Sequence, residues 1–122
     1  MSLEPYDINN VFAKILRKEI PCQTIFENDH VLSFCDINPQ TPVHIIVIPK
    51  GPFQNFSDFH SHASPELIVR FYDGVNQTIE KLALTNGYRL ITNKGEIGSQ
   101  SVPHYHVHIL AGKKMGAKIT PF

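Results

Sequence analysis

A chain of 122 residues with 42% hydrophobic and 18% charged side chains is long enough for one packed core and too apolar to stay disordered. Lys+Arg and Asp+Glu both count 11, so the formal charge is zero, and no basic excess points to nucleic acid as a partner. No apolar run reaches the ~20 residues of a membrane span, and MSLEPYDINN lacks the basic-then-apolar order of a secretory signal. Two cysteines, Cys22 and Cys35, form neither a CxxC pair nor a disulfide framework. One soluble, cytoplasmic domain over residues 1–122 is expected, with no membrane partner.

In NNVFAKILRKEIP, Val11, Phe12, Ile15 and Leu16 recur at helical spacing with Pro21 just beyond, which predicts a short amphipathic helix. QTIFEND and VLSFCDI alternate around Asn28-Asp29 and predict a hairpin. The turn cluster NPQTP leads into a third strand over His44–Ile48. GPFQNFSDFHSHA reads as a solvated loop; it holds His60 and His62, and a metal pair there is the weaker alternative. Ser64-Pro65-Glu66 starts a long helix: hydroxyl cap, proline first, then an acid. Its apolar stripe is Leu67, Ile68, Phe71, Val75, Ile79 and Leu82, and Asn86-Gly87 is expected to end it. GYRLITN and VPHYHVHIL are two further strands, joined by the polar loop KGEIGSQS. The order predicts an α+β domain: a five-stranded antiparallel sheet with the long helix packed on it and a short N-terminal helix.

The last strand carries the chemistry. Alternating side chains place His104, His106 and His108 on one face and Tyr105, Val107 and Ile109 on the other. One metal ion cannot take all three, because the outer two rings are rooted about 13 Å apart and zinc needs its ligand nitrogens at ~2.0–2.1 Å. Two neighbouring histidines could share an ion only with further ligands from elsewhere. A satisfied structural role would account for any one of these histidines, but three in register ask for more. A row of imidazoles against an extended anionic ligand can combine a neutral nucleophile with hydrogen-bond donors, which suits phosphoryl or nucleotidyl transfer. The preceding NKGEIGSQS has Gly95 and Gly98, and such loops can turn N–H groups toward a phosphate. It contains no P-loop pattern.

His104-Tyr105-His106-Val107-His108-Ile109-Leu110 fits the alternating signature of the histidine triad (HIT) family. FAKILRKEIP, FCDINPQTPVHIIVIPK, GYRLITNKG and QSVPHYHVHILAG, in that order, resemble its Hint branch, the histidine triad nucleotide-binding proteins. The resemblance implies a purine-nucleotide phosphoramidase that works through a covalent nucleotidyl-histidine, with no cofactor and no metal. By position, His106 would be the nucleophile and His108 the donor to phosphate oxygens and leaving group. His104 and His44 would orient the nucleophile. Asp36, beside Ile37, would bind the ribose hydroxyls, and a carboxylate suits that task because it accepts from both. Asn93 and Ser101 would contact the phosphate, with the Ser99–Gln100 backbone beside them. Ser101 is also a possible proton relay. Val11, Phe12, Ile15 and Ile20 would hold the base of AMP, GMP or their phosphoramidates. The family forms homodimers, so the same is expected here. Ser99 stands where the branch often has glycine, and the tail GAKITPF departs from the aromatic-tipped tail of the animal proteins. Two other readings stay open: a dinucleoside polyphosphate hydrolase, and a nucleotide-binding scaffold with incidental catalysis.

Overall fold

The computed structural model describes residues 5–117. The five strands are β1 (Thr24–Glu27), β2 (Val31–Cys35), β3 (Val43–Pro49), β4 (Arg89–Ile91) and β5 (Val107–Ala111). They form one sheet in the order β1-β2-β3-β5-β4, with every pairing antiparallel. The helices are α1 (Val11–Leu16), α2 (Phe56–His62) and α3 (Pro65–Lys81). The expected α+β class and the five antiparallel strands are what the chain adopts. No helix among the described residues is long and apolar enough to cross a membrane.

Side-chain alternation gives the sheet two unlike faces. Val31, Ile45, Val47, Val107 and Ile109 pack under α3 with Phe71, Val75 and Ile79. Leu32, Phe34, Ile46 and Ile48 pack under α1 with Phe12 and Ile15. The Ser64 hydroxyl caps α3 by accepting the Leu67 N–H at 3.1 Å, and Pro65 fills the first turn, where a missing N–H costs nothing. Gly74 of α3 lies against β2 so closely that a Cβ there would sit 2.4 Å from a Val31 methyl.

Three expectations change in detail. The stretch expected to be a loop around His60 and His62 contains α2. Asn55 Oδ1 accepts the Asp58 N–H at 2.9 Å, and Asp58 Oδ2 accepts the Gln54 N–H at 2.8 Å, so two short polar side chains close the helix start. Buried Phe59 then pins a helix only seven residues long. The long helix stops at Lys81 rather than at Asn86-Gly87, because Ala83 already takes a left-handed φ of 53°. Finally, β5 begins at Val107 instead of reaching back to Val102. Pro103 has no N–H to give a ladder, and the Tyr105 N–H donates outside the sheet to the Phe53 carbonyl at 2.7 Å. His104 and His106 therefore precede the strand, and His108 lies within it. The departing tail GAKITPF falls largely on residues 118–122, outside the described residues.

Candidate active site

The α1 face of the sheet carries two adjoining cavities that share Asp36, Ser101 and His108. The larger, about 680 Å³, runs from Asn38 and His44 to Asn93 and Ser99. The smaller, about 240 Å³, is an apolar slot between α1 and β2, with His106 in its wall.

Hydrogen-bond chemistry assigns the protons on these rings. His106 is buried, and its Nδ1 lies 2.7 Å from the His104 carbonyl, which can only accept. Nδ1 therefore carries the proton, and Nε2 keeps a free lone pair. Burial pushes the ring's pKa below the ordinary histidine value, so it is neutral near pH 7. Phe12 stands edge-on to it, with ring centroids 5.0 Å apart.

A second chain of bonds fixes His108. The Gln40 N–H donates to His44 Nδ1 at 3.0 Å, so neutral His44 carries its proton on Nε2. That nitrogen lies 2.9 Å from His108 Nδ1 and 3.3 Å from Asp36 Oδ2. His108 accepts at Nδ1 and holds its own proton on Nε2. Burial, reinforced by the neighbouring His106 and His44, pushes the His108 pKa down to about 4. Burial likewise lowers that of His44. Asp36 is held beside them because its backbone N–H donates to the His44 carbonyl at 2.9 Å, and its Oδ1 accepts the Asn38 N–H at 2.8 Å.

His104 plays a different part. It is fully buried and lines neither cavity. Its Nε2–H donates to the Pro49 carbonyl at 3.0 Å, and its Nδ1 accepts from the Tyr6 hydroxyl at 2.6 Å. Burial takes its pKa down to about 4. Only its main-chain carbonyl reaches a second histidine. The simple picture of three rings facing one ligand is thus replaced by two rings and a buried clamp.

The remaining expected positions divide by surface. Val11, Phe12, Ile15, Ile20 and Ile37 line the slot, Ile37 as a fully exposed side chain at its rim. Asn93, Ser99 and Ser101 line the larger cavity. Gln100 turns away: its amide donates to the Gln54 and Val102 carbonyls at 2.6 and 2.9 Å, and its Oε1 accepts the Gly95 N–H. The Ser99 and Gln100 N–H groups bond to the Glu96 and Gly95 carbonyls, so they brace the loop instead of offering donors to a phosphate. Gly98 is needed there, since a Cβ would meet the Lys94 carbonyl oxygen at 2.6 Å. Ser99 occupies a left-handed φ of 58°, the conformation that favours glycine.

Sequence reasoning missed Asn38, Gln40, Ile91, Ile97 and Leu110 in the larger cavity, and Pro21, Cys22, Phe34, Cys35 and Ile46 in the slot. Strand alternation with His44 could have found Ile46. Nothing marks Gln40, because its contribution is a backbone N–H.

Asp36, His44 and His108 offer ligand atoms within 4.8 Å of one another. A metal there would need the lone pair of His44 Nε2, which moves the proton to Nδ1 and sets it against the Gln40 N–H. The hydrogen bonds that join the cluster run as a relay from the Gln40 N–H through His44 to His108.

An α+β sheet with a neutral histidine over an apolar slot, and a second ring beside a carboxylate, defines a histidine triad protein. Residues 17–115 match the HIT domain family, and the chain belongs to it. It is 47% identical over 116 residues to an uncharacterized 13.2 kDa HIT-like protein of Azospirillum brasilense, covering 94% of this chain and 95% of that one. A HIT family hydrolase from Clostridium thermocellum has a similar structure, with a TM-score of 0.81 and 36% identity, covering 92% of this chain and 97% of the other. A histidine triad nucleotide-binding protein from Candida albicans superposes with a TM-score of 0.75 at 26% identity, covering 93% and 87%.

Proposed function

We propose that the chain is a purine-nucleotide hydrolase that cleaves nucleoside 5′-phosphoramidates to a nucleoside monophosphate and an amine through a nucleotidyl-His106. The observation that carries this reading is the 2.7 Å bond from His106 Nδ1 to the His104 carbonyl, which commits the proton to Nδ1 and leaves Nε2 able to attack.

The base enters the slot beside Phe12 and Ile15, Asp36 accepts from the ribose hydroxyls, and the phosphate meets His108, Asn93 and Ser101. His106 Nε2 attacks phosphorus as the P–N bond breaks. The departing nitrogen needs a proton, and neutral His108 is a reluctant acid. Its Nε2–H serves better as a donor to the phosphate oxygens. Ser101 lines both cavities, and its hydroxyl gives a proton to the amine while taking one from solvent. Water then attacks phosphorus, restores His106, and releases the monophosphate and a proton.

Neither cavity has a Lys or Arg in its lining, so a bridging polyphosphate would lack counter-charge, which favours the phosphoramidate over the dinucleoside polyphosphate. A homodimer joined along β4 fits the exposed Tyr72, Phe56 and Leu90 beside that outer strand. The free thiols of Cys22 and Cys35 suit a cytoplasmic setting.

Adenosine 5′-phosphoramidate without added metal tests the reading. Wild type should release AMP with a trappable adduct on His106, and His106→Ala should lose on the order of 10³-fold or more of kcat. Equal rates in the two proteins would remove the nucleophile. A cellular role that survives His106→Ala would favour the scaffold instead.

A further inference from the structure

A third cavity, of about 510 Å³, opens where β4 begins and β5 ends, between residues 86–89 and 112–115. Its lining contains Arg89, Lys113 and Lys114 and no acidic side chain. In a chain of zero formal charge, that concentration needs a reason. Elsewhere Arg17 pairs with Glu19, Lys18 and Lys50 with Glu27, and Arg70 with Asp73, while Lys14, Lys81 and Lys94 have no acidic partner among the described residues. None of the three cavity cations has an ion pair among the described residues.

Arg89 sharpens the point. Its Nη2 donates to the Gly116 carbonyl at 2.7 Å, which holds the chain after β5 against β4. Its Nη1 is buried and has no hydrogen-bond partner among the described residues. A buried guanidinium nitrogen without an acceptor is costly, and an anion is the acceptor it suits best.

The register places this cavity next to the reaction centre. Arg89 pairs with Leu110 and Ile91 with His108, so Arg89 lies on the same sheet face as His108. The two positions are diagonal neighbours on adjacent strands, roughly 7–8 Å apart. A small amine bearing its own acidic group spans that distance. The active cavity itself presents Asp36 and would repel such a group.

We propose that Arg89, Lys113 and Lys114 form a second subsite that binds an anionic group, carboxylate or phosphate, carried by the leaving amine. The inference rests on the phosphoramidate reading and adds the chemical class of what leaves. The subsite takes no part in bond making: P–N still breaks, the phosphorus–His106 bond still forms, and the amine leaves with the relayed proton while its anion stays paired with the cations.

The test compares kcat/KM for adenosine 5′-phosphoramidates of ethylamine, glycine and 2-aminoethyl phosphate. One or both anionic amines should be favoured about 5-fold or more, the upper range of a surface ion pair. The advantage should shrink as salt rises. It should also fall toward one in Lys113→Ala/Lys114→Ala and in Arg89→Ala. Because the readout is a ratio within each protein, partial misfolding does not mimic the effect. The glycine and phosphate arms tell the two anions apart. Turnover without anion preference, or a preference that survives loss of the cations, overturns this inference alone. No turnover of any of the three overturns it together with the reaction.

Discussion

The two faces of one sheet have opposite fates. On one, α3 has 17 residues, about 25 Å of helix, and seals a continuous core around Phe71, Val75 and Ile79. On the other, α1 has six residues, about 9 Å, and covers only the β2 end, over Phe34 and Ile46. The uncovered remainder presents His44, His108 and Ile91 to the cavities. The strands differ little between faces. What separates a core from an open cavity here is how far the covering helix reaches.

Substitutions can break that contrast. The largest stability effect is expected on the sealed face, where Phe71 is fully buried: Phe71→Ala should cost about 3–5 kcal/mol in urea unfolding and leave KM for nucleotide unchanged in the folded protein. If it altered KM instead, the faces would not be independent.

Acid probes the sealed patch within the open face. Burial holds His104 at about 4, against about 6.5 in an unfolded chain. The unfolded state therefore binds the proton first, and the stability His104 contributes is present above about 6.5 and lost as pH falls toward 4. Going from pH 7 to pH 5 should cost about 2 kcal/mol from this residue alone. Ring titration followed by NMR provides the check; a His104 midpoint near 6.5 would mean that the clamp is solvated.

Gly74→Ala sharpens the comparison from the packing side. Alanine favours helix, but its Cβ would enter the stiff, buried Val31 side chain at 2.4 Å. A net loss of about 1–3 kcal/mol is expected in the unfolding midpoint. A gain in stability would show that α3 can lift off the sheet without penalty. The smallest effect belongs to the open face: Ser99→Gly relieves a left-handed serine and should raise stability by up to about 1 kcal/mol. A loss would mean that the serine hydroxyl holds the loop.

Much of this was legible in the sequence where periodicity and punctuation agree. The hairpin at Asn28, the start of α3 at Ser64-Pro65 and the alternating histidines fall in that class. Alternation still overstated the triad, because Pro103 detaches His104 and His106 from the ladder, and a buried ring and a cavity ring look alike in a sequence. The helix α2 hides because seven residues give too little period, and its signal is the Asn55–Asp58 cap. The basic cavity was invisible, since Arg89 meets Lys113 and Lys114 only through the pairing of β4 with β5.

The bond from the Gln40 main chain to His44 has a consequence for how such a protein can drift. The polarity of the relay through His44 to His108 is set by a peptide group, which never titrates and which nineteen of the twenty amino acids supply equally. Position 40 is therefore free to vary on its exposed side without reversing the direction of these hydrogen bonds. Proline alone, lacking that hydrogen, would release His44 to either tautomer, and His108 would lose its fixed role as acceptor at Nδ1.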